Sequence, residues 1–351
     1  MDLLTTLETL CRPVAPPGRE DEMRAALSEL LAPVADRLET DRMGNLRAWL
    51  APAGGGPAPR LMLDAHMDEV AFIVQRVEPT GFLRSAPLGG AEARVMPGSR
   101  LILAPRPGVH VPAVAGLAPP HVETAADREK ALPWDKLYLD AGFPDAAAAA
   151  AAGVEIGTPG VVDAGQGPLG QGFFQARNLD DRAGCAALVQ AFHGLAAARP
   201  AVEVVANFAV AEEVGLRGAT TAAFDLAPDL ALVVEATVGD TPGVEDARQP
   251  SRLGQGPAVT VADGRIIVPW RLVESLEEAA RAAGVACQRK LPPYGGTDGG
   301  AIHLSRGGVP TAILSVPCRY IHSPVSLCQL TDLAALCQVV ETWVRRAHEL
   351  V

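Results

Sequence analysis

The chain has 351 residues, long for one domain and enough for two, and its 48% hydrophobic content supports a large core and excludes a disordered chain. It carries 41 acidic against 30 basic side chains, a net charge of -11, which disfavours nucleic acid or an anionic membrane surface as its main partner. Its 6 cysteines (Cys11, Cys185, Cys287, Cys318, Cys328, Cys337) show no CxxC spacing and read as reduced, mostly packed thiols.

The first 20 residues hold acids and no basic segment ahead of an apolar one, so they do not read as a signal peptide. No apolar run approaches the ~18 residues of a membrane span. A soluble cytoplasmic protein is the simplest expectation.

Residues 1–40 read as helix, loop, helix. Leu3, Leu4, Leu7 and Leu10 lie at helical spacing, Pro13, Pro16, Pro17 and Gly18 interrupt, and residues 20–38 resume with Met23, Leu27, Leu30 and Leu31 on one face. Residues 41–50 predict a strand hairpin around Met43-Gly44-Asn45. The apolar run Leu61-Met62-Leu63 predicts a buried strand that delivers His66 and Asp68. Residues two apart in extended chain face the same way, so the carboxylate can fix the imidazole tautomer.

From residue 75 to 162 the texture changes. Short β-like pieces at 82–83, 100–103, 109–114 and 136–139 alternate with glycine and proline, and residues 146–152 are seven consecutive alanines, a short surface helix. This segment predicts an inserted β-rich, small-barrel domain, 75–162, within an α/β body formed by 1–74 and 163–351.

Residues 178–181, Asn-Leu-Asp-Asp, precede an apolar helix at 183–195. Helix capping explains one of the two aspartates and leaves the second unexplained. Such an aspartate can bridge two metals through its two oxygens. Residues 202–210 predict a strand ending in Glu212-Glu213, with Gly215 beyond. Residues 230–234 predict another, ending in Glu235. An amphipathic helix follows at 269–283, then a strand-like 286–291 and a glycine-rich loop into a short helix at 292–308. A last buried strand at 309–316 leads to His322, and 326–350 predict a closing helix that breaks near its start.

Alone, Glu212-Glu213 reads as a solvated turn. Adjacent like charges at the end of a buried strand become reasonable beside a cation. Several apolar strands deliver metal-competent groups: His66, Glu212 with Glu213, Glu235 and His322, with Asp180 at a helix start. Two imidazoles and several carboxylates suit Zn²⁺, Co²⁺ or Mn²⁺ and not a thiolate site. They suffice for two metals roughly 3.5–4 Å apart.

The motifs HMDEVAF, NLDDRAG, EEVGLRGA, DTPG, RLGQGPA, YGGTDGGAIH and YIHSP, in this order, resemble the cytosolic dinuclear-metal aminopeptidases that assemble as tetrahedral dodecamers. Members are labelled glutamyl aminopeptidase, and some endoglucanase. The resemblance covers nearly the whole chain. It implies a mixed-sheet α/β/α metallopeptidase domain, with the insertion serving subunit contacts. It also implies two divalent cations per subunit, zinc or cobalt foremost and manganese next, and short peptides as substrates.

By the same resemblance His66 is a metal ligand oriented by Asp68. Asp180 bridges both metals, Glu212 is the general base, and Glu213, Glu235 and His322 are ligands. Glu235 stands where the family has Asp or sometimes Glu, and Ala91 stands where it usually has Trp.

His110, His121, His193 and His303 lack partner spacing and read as packing or surface groups. Cys185 and Cys318 read as packed. Residues 295–300, Gly-Gly-Thr-Asp-Gly-Gly, lack a P-loop lysine and read as a pocket wall. Two other readings use the same residues: a metal-dependent deacylase of non-peptide amides, and a non-catalytic, metal-stabilised assembly protein. A glycosidase needs two unmetallated carboxylates across a sugar, and nothing in the chain favours that.

Overall fold

Apolar runs that alternate with helices become one large sheet. A computed structural model describes residues 2–119, 121, 122, 130, 132–291 and 294–351. The hairpin is β1 (Arg37–Thr40) and β2 (Leu46–Leu50), and the buried strand before His66 is β3 (Arg60–His66). After the insertion come β10 (Gly167–Leu169), β11 (Phe173–Ala176), β12 (Glu203–Ala209), β13 (Leu230–Val238), β14 (Ala258–Thr260), β15 (Gln288–Lys290), β16 (Thr311–Arg319) and β17 (Ser326–Gln329).

These form an 11-stranded mixed sheet in the order β1-β2-β12-β3-β13-β16-β17-β11-β10, with β14 pairing with β16 and β15 with β14. Strands β12, β3, β13 and β16 are parallel neighbours and almost wholly buried. Strands buried on both faces read as continuous apolar runs, as these do. Helices flank the sheet, the longest at Leu179–Ala197 packing on β3 and β13. Among the described residues no helix is long and apolar enough to cross a membrane.

The insertion is a closed barrel of β4 (Ala71–Val77), β5 (Leu83–Leu88), β6 (Arg100–Arg106), β7 (Val109–Gly116), β8 (Tyr138–Asp140) and β9 (Pro159–Val162), in the order β4-β5-β8-β7-β6-β9. It has its own core, with Phe72, Leu83, Leu101, Leu103 and Leu139 at its centre. Its first strand starts at Ala71, ahead of the boundary expected after residue 74, because Phe72 and Val74 face the barrel core.

Three local expectations are corrected. The second helix ends at Leu31 and does not run to residue 38. Pro33 has no amide hydrogen to continue the helical ladder, and Arg37–Thr40 pairs with β2. Strand β13 continues past Glu235 to Val238, because Ala236 and Thr237 still pair with β16. Residues 326–329 are a strand, β17, pairing with β11, and the closing helix begins at Leu330. Of the loop at 292–308, Pro292 and Pro293 lie outside the described residues.

Barrel and sheet are joined by the short link 67–70, and Glu69 in it is buried. Its carboxylate accepts from Arg177 (2.7 Å from Nε), from Arg182 (3.3 Å) and from the Ala15 amide (3.2 Å). Arg182, fully buried, also donates to the Met67 carbonyl. Burial works against the charged Glu69, but the two guanidinium groups hold its pKa below the ordinary 4.5. A carboxyl with a lowered native pKa contributes stability above its unfolded pKa and loses it as pH falls through the native one.

Replacing Glu69 by Ala leaves Arg182 buried and unpaired, which costs about 3–5 kcal/mol. The expected outcome is a lower unfolding midpoint at neutral pH, with the deficit relative to the parent shrinking below pH 4.5. Thermal melts across that range check it.

Candidate metal centre

The parallel strands β12, β3, β13 and β16 place their carboxyl ends along one edge, where sites form in open α/β sheets. His66 is the last residue of β3. Glu235 lies within β13 beside Ser315 of β16. His322 follows β16 in a turn where Tyr320 and His322 take left-handed φ of 59° and 60°. Asp180 and Asp181 head the long helix with non-helical backbone, joined by a cis peptide. Asp181 is the cap, its Oδ1 accepting from the Gly184 amide at 2.9 Å. Asp180, freed from capping, faces the centre.

The Glu212-Glu213 turn is fixed by carboxylates. Asp68 Oδ1 accepts from the Glu212 amide at 2.9 Å and Oδ2 from the Glu213 amide at 3.1 Å. Glu20 Oε1 accepts from the preceding Ala211 amide at 3.1 Å and from Gly18 at 2.8 Å. Three successive amides are thus held by two buried acids, and Ala211 keeps a left-handed φ of 53°. Sequence reading missed Glu20. Its only signal is an acid between a Pro-Pro-Gly break and a helix. Asp68 does more than orient His66: the His66 Nδ1 lies 3.1 Å from its backbone carbonyl and 3.5 Å from its carboxylate.

Every expected site residue converges. His66 Nε2 lies 3.1 Å from Asp180 Oδ1, 3.6 Å from Glu235 Oε1 and 4.0 Å from Glu212 Oε2. His322 Nε2 lies 3.3 Å from Asp180 Oδ2 and 3.5 Å from Glu213 Oε1. Asp180 therefore offers one oxygen to each imidazole. His66 with Asp181 and Glu235, and Asp180 with Glu213 and His322, each bring donor atoms within 4.8 Å of one another; so does the third set, His66 with Glu212 and Glu213.

Burial of this many acids shows in their protonation. Burial pushes Glu212 up to about 7 and Glu213 up to about 8, and drives Glu235 and Asp181 well above the carboxylate range. Burial opposes charge on the imidazoles, yet the surrounding carboxylates win. His322 rises to about 9 through Asp180 and Glu213, and His66 is held well above its ordinary value by Glu235, Asp180 and Asp68.

The barrel also reaches the centre. A Cβ added to Gly90, just beyond β5, would meet His322 Nδ1 at 2.4 Å, and one on Gly89 would meet the Glu213 Cβ at 3.0 Å. Only glycines allow this approach. A cavity of about 310 Å³ opens on Asp180, Glu212, Glu213, Glu235 and His322 and is walled by Gly295, Gly296 and Thr297, as the pocket-wall reading expects. The remaining histidines lie elsewhere: His110 pairs with Glu22, His193 with the Leu30 carbonyl, His303 with the Gly299 carbonyl, and His121 and His348 are exposed. Cys185 and Cys318 are buried.

The family model for M42 glutamyl aminopeptidase matches residues 44–339, and the chain belongs to that family. The glutamyl aminopeptidase of Lactococcus lactis is 32% identical, over 95% of this chain and 93% of its own. The lysyl aminopeptidase of Pyrococcus furiosus is 31% identical, over 89% and 87%. A solved structure of the TET1 peptidase of Pyrococcus horikoshii, titled as able to assemble into a tetrahedron or a large octahedral shell, superposes with a TM-score of 0.87. It is 27% identical and covers 98% of this chain and 99% of its own.

Groups that hold a site's ligands in place typically carry 10–100-fold in metal affinity or activity, so Asp68→Ala is expected to lower aminoacyl-anilide hydrolysis by about that factor. Steady-state kinetics, with circular dichroism showing an unchanged fold, measure it.

Proposed function

We propose that this chain is a cytoplasmic aminopeptidase that removes amino-terminal residues from short peptides with two divalent cations, zinc or cobalt foremost and manganese admissible. The observation that carries the reading is Asp180, whose two oxygens lie 3.1 Å and 3.3 Å from the Nε2 atoms of two separate histidines.

The residues fit such cations. Zinc bound tetrahedrally at about 2.0–2.1 Å spaces its ligand atoms about 3.3–3.4 Å apart. The donor pairs here are separated by 3.1, 3.6, 3.3 and 3.5 Å. Glu213 Oε1 is buried without a hydrogen-bond partner, as an oxygen reserved for a cation would be. His66, Asp180 and Glu235 would hold one cation, and Asp180, Glu213 and His322 the other. The extra methylene of Glu235 is accommodated, since its carboxylate still reaches His66.

When bound, the cations supply Lewis acidity, lowering the pKa of a water and stabilising charge on the scissile carbonyl oxygen. Glu212 is farther from His66 than Asp180 or Glu235, which leaves it free to move a proton. Burial raises its carboxyl to about 7 when no cation is bound, and the charge of bound cations would lower it toward the ionised form a base needs. It accepts the proton from water and returns it to the leaving amine. Asp68 and Glu20 keep the Glu212 backbone from drifting while it does so.

Glu212→Gln is expected to lower kcat by about 10²–10⁴ while metal content stays at two per chain. Elemental analysis beside kinetics separates this from loss of metal. Unchanged hydrolysis would sink the mechanism, and a metal-loaded parent that hydrolyses no peptide would fit a non-catalytic assembly protein.

The same reading makes the protein a homo-oligomer with the barrel at subunit contacts, a dodecamer as in solved relatives. Exposed Phe82, Val109, Val114, Leu117 and Tyr138 on or beside barrel strands support an interface there. Light scattering should return a mass near twelve chains of 36.5 kDa, and a monomer mass would exclude the assembly.

A further inference from the structure

The glycine-rich wall of the cavity is continuous with a buried acid that the chemistry above does not use. Gly295, Gly296 and Thr297 line the cavity, and Asp298 follows them directly. Asp298 precedes the short helix Gly299–Ile302, yet its side chain makes no capping bond. It is 1% exposed, and neither of its carboxyl oxygens meets an N–H or hydroxyl donor. A Cβ on Gly299 would meet Ile313 Cδ1 at 2.7 Å, so this segment is seated closely on the sheet. A carboxyl buried there without a donor is costly and needs a reason.

Asp64 supplies one. It lies on β3 two residues before His66, so the two side chains share one face of the sheet. Asp64 is fully buried, and its carboxyl lies within hydrogen-bonding reach of the Asp298 carboxyl. Its Oδ1 accepts from Asn207 Nδ2 at 2.6 Å, and Asn207 is its register partner on β12. Two ionised carboxylates repel and have no hydrogen to share, whereas one proton turns the pair into a donor and an acceptor. The Asn207 amide favours the charged form of Asp64, and Asp298 has no such donor. The proton therefore belongs to Asp298. Burial, then the charges of Asp64 and Glu212, push its carboxyl well above the ordinary range in agreement.

The string Asp298–Asp64–Asn207 thus runs from the cavity wall to the strand ending in His66, and on to the strand that leads to Glu212 and Glu213. We propose that Asp298 is a positioning residue: as a neutral acid it donates its hydrogen to Asp64 and fixes the 295–297 wall against the strand that carries His66. Its effect on turnover rests on the aminopeptidase reading. The wall meets the substrate and not the base, so loosening it weakens binding and leaves the chemical step in place.

The test compares the metal-loaded protein with Asp298→Ala, which removes the donor, and Asp298→Asn, which offers Asp64 an amide hydrogen instead. Steady-state kinetics on an aminoacyl-anilide, elemental analysis and infrared spectra at neutral pH are recorded for each. Asp298→Ala is expected to raise KM about tenfold with kcat and metal content held, and Asp298→Asn to retain most of the parent KM. The parent-minus-Asn infrared difference should show the carbonyl stretch of one neutral carboxylic acid. That reading stands even where Asp298→Ala fails to fold.

An unchanged KM in Asp298→Ala overturns the proposal, as does an Asp298→Asn impaired as much as Asp298→Ala. A difference spectrum without the neutral-acid band overturns it too. So does a further ion in the parent that Asp298→Asn loses, which would put a cation and not a proton between the two acids. A parent that hydrolyses no anilide would instead overturn the aminopeptidase reading, with the infrared band still deciding the state of Asp298.

Discussion

Everything at this sheet edge answers to the repulsion among buried carboxylates. Asp68, Asp180, Asp181, Glu212, Glu213 and Glu235 crowd around two imidazoles, and burial alone pushes several of them out of the ordinary acid range. A chain does not hold such a group without compensation. Part of that compensation is internal. Asp68 and Glu20 spend their oxygens on backbone amides, Asp181 caps a helix, and Glu69 nearby is matched by two arginines. Among the six acids around the imidazoles, those left uncompensated face the cavity, and these have donor geometry for cations.

The division of labour between paired acids follows from position, not from type. Asp180 and Asp181 are adjacent, yet one caps a helix and the other faces both histidines. Glu212 and Glu213 are adjacent, yet Glu213 approaches His322 while Glu212 stands back from His66. Adjacent residues leaving a strand or entering a helix point in different directions. A doubled acid at such a place is therefore an economical way to supply one structural and one chemical group.

Much of this was legible in the chain. Apolar strands are recognised by their runs, and a charged residue where such a run ends stands out, which is why His66, Glu213, Glu235 and His322 could be named. What escaped depended on distant pairing. Glu20 looks like any acid at a helix start, and only the fold brings it to an amide 191 residues away. Residues 326–329 carry a locally helical pattern and become a strand because β11 offers a free edge. Asp68 acts on backbone, which has no side-chain signature.

The close seating of Gly89 and Gly90 against Glu213 and His322 limits how modular the inserted barrel can be. The barrel has a separate core and a closed hydrogen-bonded perimeter, so it looks exchangeable as a unit. Yet the tip beyond β5 forms part of the wall behind Glu213 and His322. A transplanted barrel that brings a side chain at either position would displace His322 or Glu213 without touching the sheet. Recombination among relatives is thus constrained at two residues that carry no side chain, and divergence elsewhere on the barrel is free of that constraint.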